Sequence, residues 1–161
     1  MSILKQYRVN QGVIHRKLSK QLALINPLLE EKDRWRHGGW YACLQVQSQA
    51  LLIKDHCAIG IDPLYKSLKY SALVLEKAAR LSLHLEHNTS RQSRNEKTGQ
   101  WGGAIRAGNL IFAFSGLPEK WDEALMLWLA VKLGLMNEEN AQVIGSTKVN
   151  ACLKQLLVLT A

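Results

Sequence analysis

Residues 13 to 25 place Ile14, Leu18, Leu22 and Ile25 at three- and four-residue steps, the spacing of an amphipathic helix, and Pro27 then ends or bends it. The charged stretch 28 to 36 has room for one more helical turn before Gly38 and Gly39 break the pattern. From Trp40 to Gln47 the alternation changes to two, with Leu44 and Val46 inward and Gln45 and Gln47 outward. Ala50 to Ile53 reads as a buried partner strand. Breakers alone do not exclude a helix here, because neither Gly nor Pro occurs from Trp40 until Gly60. Asp62-Pro63 has the form of a helix start, a capping oxygen followed by Pro at the first helical position. The helix it opens runs to about His87, with Leu64, Leu68, Ala72, Leu75, Ala79 and Leu83 as its apolar stripe.

Residues 88 to 100 contain no apolar side chain, and they predict an exposed, mobile basic loop. Two strands follow, Trp101 to Arg106 and Leu110 to Ser115, joined through Ala107-Gly108-Asn109, where Gly and Asn supply the positive φ of a tight hairpin. The second strand is apolar on both faces, which predicts a central place in a sheet covered on both sides. Ser115-Gly116-Leu117-Pro118 then turns into a helix whose first turn carries Glu119, Asp122 and Glu123, where the helix dipole favours anions. Trp121, Ala124, Leu125, Trp128 and Leu129 form its apolar face, Gly134 is its natural C-cap, and a further helix from Glu138 or Thr147 reaches about Leu157. The order predicts an α/β (α+β) fold, one antiparallel sheet of four to five strands flanked by helices. It forms a single domain over 1 to 161 with a helical segment at 1 to 37.

The chain of 161 residues carries a net charge of +8, which favours encounters with nucleic acid or an acidic partner without giving specificity. In the amino-terminal third, Glu30, Glu31 and Asp33 interleave with the cations, the pattern of a solvated helix face rather than a phosphate track. No apolar run approaches the roughly 20 residues that cross a bilayer, and the first residues lack a signal peptide's apolar stretch, so a cytoplasmic location is expected. Cys43, Cys57 and Cys152, widely spaced and odd in number, suggest neither a disulfide framework nor a structural zinc site, and buried reduced thiols are expected. His56 and Cys57 are adjacent, but neighbours in sequence rarely face each other.

Three groups hold candidate chemistry. Arg91, Arg94 and Lys97, with hydroxyl residues around them, could grip a phosphate or carboxylate. His84 and His87, three apart near a helix end, can share a metal, although the dipole there also stabilises histidines. The Ser115-Gly116 turn offers backbone N–H groups that, with Arg106, could receive an anion. The Gly-x-Ser-x-Gly pattern of a hydrolase fails, since Phe112-Ala113-Phe114 precedes Ser115, and no catalytic pair can be aligned from spacing. Trp121 and Trp128 share a helix face, which points to core or an oligomer interface before nucleic-acid stacking.

The run Gly-Gly-x-Ile-Arg-x-Gly-x-Leu-Ile-x-x-x-Ser-Gly from Gly102 to Gly116, followed by Asp122-Glu123-Ala124, resembles the haem-binding-protein family that includes GlcG-like proteins and PduO C-terminal domains. The resemblance covers residues 102 to 136 and extends faintly from Trp40 through Tyr70-Ser71-Ala72. The family's Val-Val-Asp-x-x-Gly hairpin is replaced by Leu44 to Gln49, and its Gly-rich loop by the basic segment 88 to 100. The order of elements resembles a profilin-like sandwich, self-association is expected, and the family resemblance implies haem or another small anionic ligand. Arg106, Ser115, Gly116, His84, Arg91 and Arg94 are then the candidate ligand-binding residues, with His84 as the haem ligand and Arg91 placed for a propionate. The alternative is a basic module that binds nucleic acid or an acidic protein through Arg91, Arg94, Lys97 and the amino-terminal cations.

Overall fold

The structure is a computed structural model that describes residues 10 to 60 and 64 to 160. The expected cap at Asp62-Pro63 lies outside the described residues. The helix α1 (Gln11–Ile25) is capped by Asn10, whose side chain accepts the Val13 N–H, and it buries Ile14, Leu18, Leu22 and Ile25 as the spacing predicts. Short 3-10 turns at Asn26–Leu28 and Glu31–Asp33 lead to β1 (Gly39–Gln47) and β2 (Ala50–Ile59). Then come α2 (Leu64–Leu83), β3 (Ala104–Ala107), β4 (Leu110–Ser115), α3 (Glu119–Lys132), α4 (Glu138–Ile144) and α5 (Thr147–Leu159). No helix among the described residues is long and apolar enough to cross a membrane.

The four strands form one antiparallel sheet in the order β2-β1-β4-β3. As its apolar sequence requires, β4 is central and buried throughout. One face carries α2, with Val74, Ala78 and Leu81 on Ala42, Leu44, Ile111 and Ala113. The other face carries the larger core, where Tyr41, Cys43, Ile105, Phe112 and Phe114 meet α1, α3 and α5. α3 is buried on all sides from Trp121 to Ala130, so both tryptophans of its face belong to the core. Gly108, at φ +61°, makes the β3–β4 turn.

Four expectations are corrected. β2 is an edge strand, and Leu51, Leu52 and Ile53 are exposed on it rather than buried. In α2 the stripe through Leu64, Leu68 and Leu83 faces outward, while Tyr70, Val74, Lys77, Ala78, Arg80 and Leu81 are buried. The helix also stops at Leu83, before His87, and Arg106 reaches across from β3 to donate to the carbonyls of Leu81, His84 and His87 at its end. Finally, the segment 88 to 100 is held by polar contacts. Ser90–Ser93 and Glu96–Thr98 are 3-10 turns, Thr89 and Ser90 are fully buried, and Arg80 donates to the carbonyls of Ser90 and Trp101.

Candidate functional site

Where β4 ends, the chain must turn sharply to start α3 on the far side of the sheet. Gly116 takes φ +153° there, and a Cβ on it would run into the backbone of Gly38 and Gly39, so these three glycines let the start of β1 and the end of β4 touch. Beside this turn lies a cavity of about 270 Å³, between α2 and the amino end of α3. Arg36, Lys69, Tyr70, Lys77, Ser115 and Asp122 supply its polar lining, and Leu73, Trp101, Leu117 and Pro118 its apolar lining.

Lys77 is the buried anchor of the site at 2% exposure. Its ammonium donates to the Phe114 carbonyl at 2.9 Å and to Asp122 Oδ2 at 3.1 Å. The other Asp122 oxygen accepts the Leu117 N–H at 2.9 Å, which ties the turn to the first helical turn of α3. A buried charge pair survives when its lone pairs and protons find partners, and these bonds engage both Asp122 oxygens and two of the three ammonium protons. Burial still dominates at Asp122 and pushes its carboxyl up to about 6, against the opposing pull of Lys77 and the Leu117 N–H. Gly103 makes the arrangement possible. At φ +118°, a Cβ there would lie 2.8 Å from Lys77 Nζ and 2.9 Å from Phe114 O.

Arg36 enters from the segment after α1. It donates to Asp33 at 3.2 Å, to the Gly116 carbonyl at 3.1 Å and to the Tyr70 hydroxyl at 3.3 Å. Glu119 also borders the cavity, but its carboxylate is engaged by Arg94 Nε at 2.9 and 3.0 Å and by the Gly102 N–H at 2.6 Å. Pro118 stands at the N-cap of α3 and makes no side-chain cap bond, which leaves the positive end of that helix facing the turn. Cations on Arg36, Lys69 and Lys77, a phenol, a hydroxyl and a helix amino end therefore share one small space. Such a set can hold an anion.

Of the residues expected from the sequence, Ser115 and Gly116 line this cavity. Arg106 does not join them. It pairs with Ile111 in the β3–β4 register, four residues along β4 from Ser115, a separation of about 13 Å at strand spacing. Its guanidinium is used on the carbonyls at the end of α2. Arg91 is a strut that donates to Glu123 at 3.3 Å and to the Ile144 carbonyl at 3.2 Å. Glu123 is completely buried, and burial pushes its carboxyl up to about 7 despite Arg91. His84 and Arg94 border a separate, open groove of about 700 Å³. There the rings of His84 and His87 stack at 4.6 Å, with the Glu86 carboxylate 3.7 and 3.6 Å from their nitrogens.

Arg36, Lys69, Tyr70, Lys77 and Asp122 were not singled out by sequence reasoning as ligand-binding residues. The available signal was Lys77 itself, a cation set between Val74 and Ala78 on what proves to be the buried face of α2. No family model, curated protein or solved structure matches the chain.

Proposed function

We propose that the protein binds a compact anion, a small carboxylate- or phosphate-bearing molecule, in the cavity between α2 and the Ser115 turn. The observation that carries this is the convergence of Arg36, Lys69 and Lys77 on a cavity at the amino end of α3, where Asp122 offsets Lys77, Asp33 offsets Arg36 and Arg94 offsets Glu119, so that the exposed Lys69 and the helix end supply the remaining positive charge. The volume of about 270 Å³ lies just below the roughly 300–1,000 Å³ of drug-sized ligand sites, so it suits a few-carbon acid or a phosphate rather than a porphyrin. Haem, the other ligand that the resemblance implies, would have to use the open groove beside His84, where Arg94 is already bonded to Glu119.

The test is amide chemical-shift mapping during titration with succinate and, separately, with inorganic phosphate. Saturable shifts confined to residues around Arg36, Tyr70 and Ser115 to Trp121 support the proposal. Shifts scattered over exposed lysines, or centred on His84 during a parallel haemin titration, overturn it.

A further inference from the structure

β2 contains an irregularity with a chemical consequence. Its register with β1 passes from Cys43↔Asp55 to Leu44↔Ile53, so Lys54 is an extra residue, a β-bulge that resets which side chains face inward. Beyond it Asp55 and Cys57, two apart, point to the same face. α1 crosses that face, fixed by a bond from Gln11 Nε2 to the Lys54 carbonyl at 2.7 Å, and this sets His15 over both. His15 Nε2 stands 2.6 Å from Asp55 Oδ2 and 3.2 Å from Cys57 Sγ. The thiol's partner is thus His15, 42 residues away, and not its neighbour His56, which turns to Ser71 on α2.

We propose that His15 Nε2, Asp55 Oδ2 and Cys57 Sγ form a binding site for one transition-metal dication of the zinc class, independent of the anion cavity. A nucleophile relay uses the two imidazole nitrogens separately, one toward the thiol and one toward the acid. Here the acid and the thiol meet the same nitrogen, so three donor atoms converge on one point, all within 4.8 Å of one another. Nitrogen, oxygen and sulfur together are the donor set of a borderline metal, and three protein ligands leave a fourth position for water. Tetrahedral bond lengths call for N···O and N···S separations of about 3.4 and 3.6 Å, so these two gaps open by less than about 1 Å when a metal displaces the Cys57 thiol proton and the proton between His15 and Asp55 to solvent. Asp55 is buried, and the side chain of His15, at 34% exposure, gives the ion its way in.

Titration of the reduced full chain with Co2+, followed by absorption, tests this. A thiolate-to-cobalt charge-transfer band that saturates at one equivalent is expected, retained in Cys43→Ser and Cys152→Ser and abolished in Cys57→Ser. His15→Gln should weaken binding about tenfold or more. It also serves if Cys57→Ser does not fold, because His15 is half-buried and its replacement leaves the thiols in place. Zn2+ should displace the cobalt and slow alkylation of Cys57. No saturable band, a band that survives Cys57→Ser, or unchanged affinity in His15→Gln overturns the proposal.

Discussion

Replacing Lys77 by Met should cost most of the margin by which the protein stays folded. The substitution keeps the volume and removes the charge, leaving the Phe114 carbonyl without its 2.9 Å donor and Asp122 without its partner at 3.1 Å, in a place where Lys77 is 2% exposed. Breaking a buried pair from one side costs about 3–5 kcal/mol, against a total domain stability of about 5–15 kcal/mol. At roughly 2–4 °C per kcal/mol for a chain of this size, the melting temperature should fall by about 6–20 °C. The cost should depend on pH. Lys77 opposes the burial that holds the Asp122 carboxyl at about 6, so its removal raises that carboxyl further and the acid is neutral under mildly acidic conditions. Urea unfolding followed by tryptophan fluorescence should therefore show a larger loss at pH 8 than at pH 5. The double variant Lys77→Met/Asp122→Asn should lose less than the sum of the two single variants, since the unpaired charge is gone. A loss below about 1 kcal/mol at pH 8, or strict additivity, would refute the buried pair.

Gly103→Ala should destabilise by about 2–5 kcal/mol, combining left-handed strain at φ +118° with the collision at Lys77 and Phe114. Gly108→Ala, at φ +61° with open space around it, should cost only about 1–2 kcal/mol, and equal losses in denaturant titrations would count against the cradle around Lys77. Glu123→Gln should change the pH dependence of stability. With its carboxyl near 7 in the fold and near 4.5 unfolded, the native state binds more protons between those values, so stability falls as pH rises through that window, by about 3 kcal/mol from this group. The Gln variant lacks that fall and should gain on the wild type from pH 4.5 to 7. A pH-independent difference in thermal or urea unfolding contradicts the assignment.

The central sheet was legible because β4 has an unmixed signal, Leu-Ile-Phe-Ala-Phe without a polar position, and because Gly108-Asn109 marks its turn. α3 was legible for the same reason. α2 was legible as a helix but not in its orientation. Apolar residues surround most of its circumference, and the stripe that looked purest in sequence faces outward because Lys77 and Arg80 turn inward to acceptors on other segments. A buried lysine resembles a solvated one until its acid is located, and Asp122 lies 45 residues away. A comparable distance in sequence, 40 and 42 residues from His15, hid the cluster with Asp55 and Cys57, which depends on a bulge that alternation in β2 does not reveal. Exposed Leu51, Leu52 and Ile53 misled in the opposite direction, since β-rich apolar runs carry no mark of whether a strand is central or at an edge. Ser115-Gly116 was legible as a strand-to-helix turn, whereas Arg106 was drawn toward it by sequence proximity alone.

Calorimetric titration of wild-type protein and Lys69→Gln with succinate and with phosphate bears most directly on the anion site, because Lys69 lines the cavity from an exposed position on α2. One saturable site per chain is predicted, weakened about fivefold or more by loss of that charge and further weakened by added salt. Absence of saturable heat with both anions, or identical affinity in the variant, would contradict an anion held between α2 and the Ser115 turn.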